Sequence, residues 1–382
     1  VLADFYCAMM KPFLMMSVAL LAALLLGSCD LSVPRPKEES EPTATPMPSP
    51  EVVESPPPPS EEAKELSMFV WSEYVPKGVI DAFYEETGIE VEMATYSSNE
   101  EMLAKLLAEG GAYDLIQPSD YTVAALVEAG LLERIDHARI PNLENVDSMF
   151  LDRSFDPGNA YTVPYMAGLV GIVYNAEKIS AEIDGFEDVF RPEHRDRIVV
   201  IDDPRQMVSW ALAAKGLPIN EVTDENLQTI RPLLAEWLPL VNLFDSDSPR
   251  LALLQGEADI GIVWNGEAAK LLEESDKFRW IVPETGAHLF IDSLAIPKGA
   301  EHPNNAMAFM NFILRPDISK LLSDAYPYLN PNLAARDLLS EAQKSNPASF
   351  PPKITLERLE TFEDIGDQSS RVDELITPLK VQ

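Results

Sequence analysis

At 382 residues, 46% of them hydrophobic and 8% aromatic, the chain has the composition of a globular protein and room for two domains. Its formal net charge of −34 argues against nucleic acid and against unaided adsorption to anionic lipid, since both carry the same sign, while a cationic ligand would be drawn in. Cys7 and Cys29 both precede the folded part, and His137, His194, His288 and His302 are scattered without ligand spacing, so no disulfide framework, no metal centre and no cofactor are expected.

In chain order, the first feature is a targeting segment. From Met10 the sequence runs MKPFLMMSVALLAALLLGSC, one lysine ahead of an apolar run from Phe13 to Leu26. That run is shorter than the roughly 20 residues of a membrane span and has the layout of a secretory signal. Leu26-Gly27-Ser28-Cys29 resembles the lipobox of bacterial lipoproteins, in which the cysteine is lipidated and becomes the new first residue. Residues 1–28 are therefore expected to be a lipoprotein signal peptide, with 1–9 upstream of the true start. Their removal takes away only Asp4 and Lys11 and leaves the charge at −34. Residues 29–65 follow as the anchor cysteine and a Pro-, Glu- and Ser-rich tract that cannot bury a core. Extended, such a tether reaches on the order of 100 Å.

From Leu66 onward, strand-like and helix-like stretches alternate: LSMFVW, VIDAFYEETG, EVEMATY, NEEMLAKLLAEGG, YDLIQPS and YTVAALVEAGLLERI. This is a β-α-β-α-β-α series, the pattern of a mostly parallel sheet covered by helices. It breaks at Asp156-Pro157-Gly158-Asn159. A strand pair, YTVPYMAGLVGIVYN, then leads into a second α/β series through RIVVIDDP, NLQTIRPLLAEWLP and ADIGIVWNG. No Walker loop, dinucleotide glycine fingerprint, G-x-S-x-G or H-E-x-x-H is present, so a binding protein is expected rather than an enzyme. One octet stands out. FVWSEYVP places Trp71, Ser72, Glu73 and Tyr74 at the carboxyl end of a strand, where open α/β sheets hold ligands. Aromatic faces beside a carboxylate suit an organic cation. The octet alone also fits a strand end that packs its Trp and Tyr into a neighbouring element.

The order of WSEYVP, FYEETGIEV, YSSNEEM, YDLIQPSDY, VPYMAGLVGIVYN, IDDPR, GIVWNG, IDSLAIP, FMNFILRPD and NPNLAAR resembles the spermidine/putrescine-binding proteins of bacterial ABC transporters, within the periplasmic-binding-protein superfamily. The resemblance runs from Leu66 to the carboxyl end. It implies an α/β, two-lobed fold of type II, each lobe a mostly parallel sheet flanked by helices. Lobe 1 would comprise 66–168 plus 291–336, and lobe 2 would comprise 169–290 plus 337–382 with a helical tail. The two chain crossings, near Tyr165–Gly171 and Phe290–Asp292, would form the hinge. The implied pocket comprises Trp71, Ser72, Glu73, Tyr74, Ser119, Tyr121, Asp203, Trp264, Phe290, Asp292 and Tyr328.

Some positions depart from the family pattern. Gln206 stands where a spermidine-preferring member has glutamate, which removes a charge. Phe290 replaces that member's tryptophan, as in the putrescine-preferring type, and Phe362 occupies a usually polar position. Glu267 follows WNG where the putrescine-preferring type carries aspartate. It is expected either to restore the charge lost at 206 or to be an ordinary carboxylate in the first turn of a helix. The resemblance implies a monomeric, lipid-anchored protein outside the cytoplasmic membrane that hands polyamines to ABC permease subunits. Alternatives are the same fold with another organic cation, amino acid or small peptide, a sensor or adhesin lipoprotein, and a secreted hydrolase using two cleft carboxylates.

Overall fold

The computed structural model describes residues 62–380 apart from Glu73 and Gly110. The signal segment, Cys29, almost all of the tether and Glu73 thus lie outside the described residues. The strands are β1 (Glu65–Trp71), β2 (Glu90–Tyr96), β3 (Leu115–Ile116), β4 (Thr162–Asn175), β5 (Ile198–Val200), β6 (Val241–Phe244), β7 (Ile260–Trp264), β8 (Phe278–Ile281) and β9 (Leu289–Ala295). The longer helices are α1 (Lys77–Thr87), α2 (Asn99–Glu109), α3 (Asp120–Glu128), α4 (Pro204–Ala214), α5 (Asp224–Trp237), α6 (Pro249–Gln255), α7 (Asn265–Glu274), α8 (Pro303–Ile313), α9 (Pro316–Ala325) and α10 (Gln368–Ile376).

Local chemistry sets several of these boundaries. α1 buries Val79 and Phe83, four residues apart on one face, and ends at Gly88, whose φ of 70° lets its N–H return to the Tyr84 carbonyl. Pro204 opens α4 at a position where the missing N–H costs nothing, and the Asp203 carboxylate caps it.

The strands form a sheet in the order β2-β1-β3-β9-β4-β7-β5-β6, with β8 added alongside β4. Pairing is parallel among β2, β1 and β3 and among β7, β5 and β6. Each half is thus mostly parallel, as expected, and antiparallel pairs join them at the centre. β4 and β9 run antiparallel to each other, β9 to β3, and β4 to β7 and β8. They are the connections between the two series and enter each sheet half from the opposite direction.

β4 belongs to both halves. Thr162–Leu169 pair with β9, whereas Val170–Tyr174 pair with β7 and Ile172–Asn175 with β8. The run TVPYMAGLVGIVYN is buried almost throughout, as expected of a strand covered on both faces. The register slips between Pro164 and Met166, where proline has no N–H to give the ladder. Both expected crossings therefore lie side by side, with Met166 opposite Asp292, Ala167 opposite Ile291 and Gly168 opposite Phe290.

Gly168 makes this approach possible. A Cβ there would stand 2.5 Å from Asn265 Oδ1 and 2.6 Å from Phe290 Cε1. Gly168→Ala is accordingly expected to destabilise the fold by about 1–3 kcal/mol through overpacking. Urea unfolding would read this as a lower midpoint at unchanged slope.

Candidate functional site

Where β1, β3, β7 and β9 converge, side chains from both sheet halves meet. β1 delivers Trp71 at its end, and the Trp71 N–H donates to Gln117 Oε1 at 2.9 Å. Gln117 accepts again through its carbonyl from the Tyr96 hydroxyl at 2.5 Å, which fixes the end of β3 to the ends of β1 and β2. Ser72, just past the strand, is exposed, and its backbone N–H donates to the Tyr96 carbonyl at 3.4 Å. The rings form an unbroken series. Centroids lie 6.5 Å apart for Trp71–Tyr74, 5.5 Å for Tyr74–Tyr328, 5.9 Å for Tyr328–Phe290 and 5.4 Å for Phe290–Trp264. The series begins on β1 and ends on β7, and so spans both halves of the sheet. Tyr328 lies against Gly266, where a Cβ would come within 2.6 Å of its ring.

Period-two alternation on β9 turns every second residue to one face. His288, just before the strand, is in phase with Phe290 and Asp292. The Asp292 side chain is 3% exposed and accepts from Ser119 Oγ at 2.7 Å across the Ser119–Asp292 bridge. Ser119 is held in turn by Asn99, whose Nδ2 also donates to the Tyr121 hydroxyl at 3.0 Å. Burial raises Asp292, and the nearby Asp120 carboxylate adds to the shift. Bonds from Ser119 and Tyr74 oppose it, and the result is about 7. Burial also pushes the phenols of Tyr74, Tyr96, Tyr121 and Tyr165 upward, with Asp292 contributing for all but Tyr121, so they remain donors at neutral pH.

On the opposite wall, half-buried Asp203 accepts from the N–H groups of Arg205 at 2.8 Å and Gln206 at 3.1 Å. Its carboxyl is raised by desolvation, against the pull of those bonds and of His288 and Arg205. Gln206 is buried on the first turn of α4 and its Nε2 meets His288 Nδ1 at 2.6 Å. Phe362 stacks on the His288 ring at 3.6 Å with 7° between planes, and the Arg205 guanidinium lies 4.5 Å from the Phe362 centroid. Desolvation lowers Arg205 to about 10, so it remains a cation at neutral pH.

The structure thus gathers Trp71, Tyr74, Ser119, Tyr121, Asp203, Gln206, Trp264, Phe290, Asp292, Tyr328 and Phe362. Glu267 lies in the first turn of α7, with Arg250 3.5 Å and Lys270 3.7 Å from its oxygens. Asp120, Arg205 and His288, which sequence reasoning did not select, join the assembly. Alternation in HLFIDS places His288 in phase with Phe290 and Asp292, which was the available signal for one of them. The arrangement offers carboxylates to ammonium groups and ring faces to methylenes, the combination that suits an aliphatic amine.

Because the folded protein raises Asp292 from 3.8 to about 7, it binds this proton more tightly than the unfolded chain does. The resulting contribution to stability is full at low pH and is lost as pH rises through the folded value. The ligand-free protein is expected to lose stability through Asp292 as pH rises from about 4, its unfolded value, to about 7, its folded value. Asp292→Asn should flatten that segment of the profile, as measured by urea unfolding.

The family model for bacterial extracellular solute-binding proteins matches residues 78–352. A spermidine/putrescine-binding periplasmic protein of Salmonella typhimurium is 36% identical over 317 residues, covering 82% of this chain and 91% of that protein. A putrescine-binding periplasmic protein of Pseudomonas aeruginosa is 32% identical over 327 residues, covering 81% and 89%. The spermidine/putrescine ABC transporter substrate-binding protein of Streptococcus pneumoniae, solved with calcium and HEPES, superposes with a TM-score of 0.75 at 30% identity, covering 83% of this chain and 98% of that one.

Proposed function

The chain belongs to the bacterial extracellular solute-binding proteins, and from that premise we propose that it captures a polyamine between its two lobes and delivers it to an ABC importer. The observation that carries this reading is Asp292. A desolvated carboxylate, held by the Ser119 hydroxyl at 2.7 Å, stands beside a run of rings that crosses from β1 to β7. In this reading Asp292 and Asp203 take the ammonium groups, and the faces of Trp71, Tyr74, Trp264, Phe290 and Tyr328 cover the methylenes. Ser72 and Tyr121 offer hydroxyls, and Glu73, between Ser72 and Tyr74 in the sequence, is a further carboxylate for the amine. The polyamine-binding relatives named above support the ligand class.

Capture proceeds by closure. The two halves, 66–168 with 291–336 and 169–290 with 337–382, move about the paired crossings of β4 and β9. Ligand contacts to both halves exist only in the closed form, so the ligand shifts the population by its differential affinity. Permease subunits then receive the closed, loaded form. Cys29 anchors the protein by lipid, and the acidic, proline-rich tether lets a monomeric binding unit range from the membrane.

The terms balance at useful affinity. Each buried methylene offers about 0.8 kcal/mol, and each cation–π contact about 0.5–2 kcal/mol. Desolvating each ammonium costs several kcal/mol, which carboxylate pairing must offset. A micromolar constant needs only about −8 kcal/mol net.

Isothermal titration calorimetry on amine-stripped protein tests the reading: putrescine, cadaverine, spermidine and spermine should include at least one saturable ligand. Heat from none of the four would remove the polyamine assignment. Since an ammonium stabilises ionised Asp292, binding near pH 6.5 should release a proton. The measured enthalpy should then vary with the ionisation heat of the buffer, and affinity should rise as pH climbs through about 7. Asp292→Asn is expected to weaken binding by about 2–5 kcal/mol and to abolish the buffer dependence.

A further inference from the structure

Resting on the polyamine reading above, we propose that His288 is the specificity-determining residue of the cleft: its imidazole occupies the place that the third cation of a triamine would take, so the site admits diamines and excludes spermidine. Three observations meet at this ring.

The first is position. His288, Phe290 and Asp292 share one face of β9 and its approach, so a chain lying along that face passes from the Asp292 carboxylate over the Phe290 ring and arrives at the imidazole. The His288 and Phe290 centroids are 6.2 Å apart.

The second is the environment of the imidazole, which is that of a bound cation. One face is covered by Phe362 at 3.6 Å, its Nδ1 meets the Gln206 amide at 2.6 Å, and its Nε2 points to Asp120 Oδ2 at 3.7 Å. An aromatic face and a carboxylate are the groups that the reading above assigns to the amine elsewhere in this cleft. Here a protein ring fills their midst. Because the imidazole covers one face of Phe362, the Arg205 guanidinium, 4.5 Å from its centroid, lies over the other face and locks the wall from behind.

The third is unmet hydrogen bonding. Asp120 is 0% exposed and His288 4%, yet Asp120 Oδ2, His288 Nε2 and Gln206 Oε1 have no hydrogen-bond partner among the described residues. The pair of buried Asp114 and half-buried His302 shows the contrast. Asp114 accepts from the Ser67 N–H at 2.9 Å, the His302 N–H at 2.7 Å and His302 Nδ1 at 3.1 Å, as a structural pair should. Asp120 accepts at Oδ1 from the Tyr121 N–H at 2.8 Å and His288 Nδ1 meets Gln206, but the two atoms that face each other are left unmet, which is costly in a buried network. They fit a role in selecting ligand better than one in holding the fold.

Calorimetry with the full chain, its His288→Ala variant and the His288→Ala/Asp120→Asn double variant tests this. The ligands are putrescine, spermidine and 1,8-diaminooctane, which has the length of spermidine but only two charges. The wild-type protein should favour putrescine over both longer amines by about tenfold or more. His288→Ala should raise the spermidine-to-putrescine affinity ratio by about tenfold, because the vacated space exposes the Asp120 carboxylate and the Phe362 face to a third ammonium, and the double variant should lose that gain. An unchanged ratio in a folded His288→Ala protein overturns the proposal. So does wild-type binding of 1,8-diaminooctane or spermidine as tight as that of putrescine, a result that needs no variant to fold. Wild-type protein that binds no polyamine at all removes the functional reading itself, and this inference with it.

Discussion

The antiparallel pairing of β4 with β9 is the constraint on which the rest of the molecule depends. β4 gives its first half to one side of the sheet and its second half to the other, and β9 runs beside the point of division. Every cleft residue on β9 is thereby held at the boundary between the halves. Gly168 lets the Phe290 ring lie close against β4, and Asn265 accepts from the Leu169 N–H at 3.0 Å while donating to the Ala348 carbonyl at 3.1 Å. A side chain at 168 would press on both Asn265 and the ring that packs against Trp264.

Electrostatics separates the buried carboxylates of the site from those on the surface. In a chain of net charge −34 most carboxylates are solvated and individually weak. Asp292 differs because burial has removed its water, leaving Ser119 and Tyr74 as the donors that partly replace it. A carboxylate so placed gains far more from an entering ammonium than a surface one does. The same burial keeps the surrounding phenols protonated, so they present neutral donors and ring faces. The far end is built differently, from an imidazole, a phenyl ring and a guanidinium in one stack.

Much of this was legible in the sequence. The strand-helix alternation, the aromatic and acidic residues at strand ends, and the order of the motifs all led to a two-lobed binding protein with an acidic, aromatic cleft. Two readings needed the structure. Glu267 could equally restore a charge lost at Gln206 or sit in an ordinary helical turn, and only the structure shows that Arg250 and Lys270 stand beside its carboxylate. Phe362, distant in the chain from every other cleft residue, has no local pattern that reveals its stacking on His288.

The sequence by itself determined the elements, through hydrophobic periodicity and caps such as Gly88 and Asp203, and it determined which residue types arrive at strand ends. These are local properties, fixed by neighbours a few positions away. The tertiary structure alone decided which groups meet. Ser119 and Asp292 are 173 residues apart, and Gln206 and His288 are 82 apart, yet both pairs are hydrogen-bonded. Such encounters depend on how the two sheet halves fold back along β4 and β9, and so does the desolvation that moves the Asp292 carboxyl, because burial is a property of the packed chain and not of any segment within it.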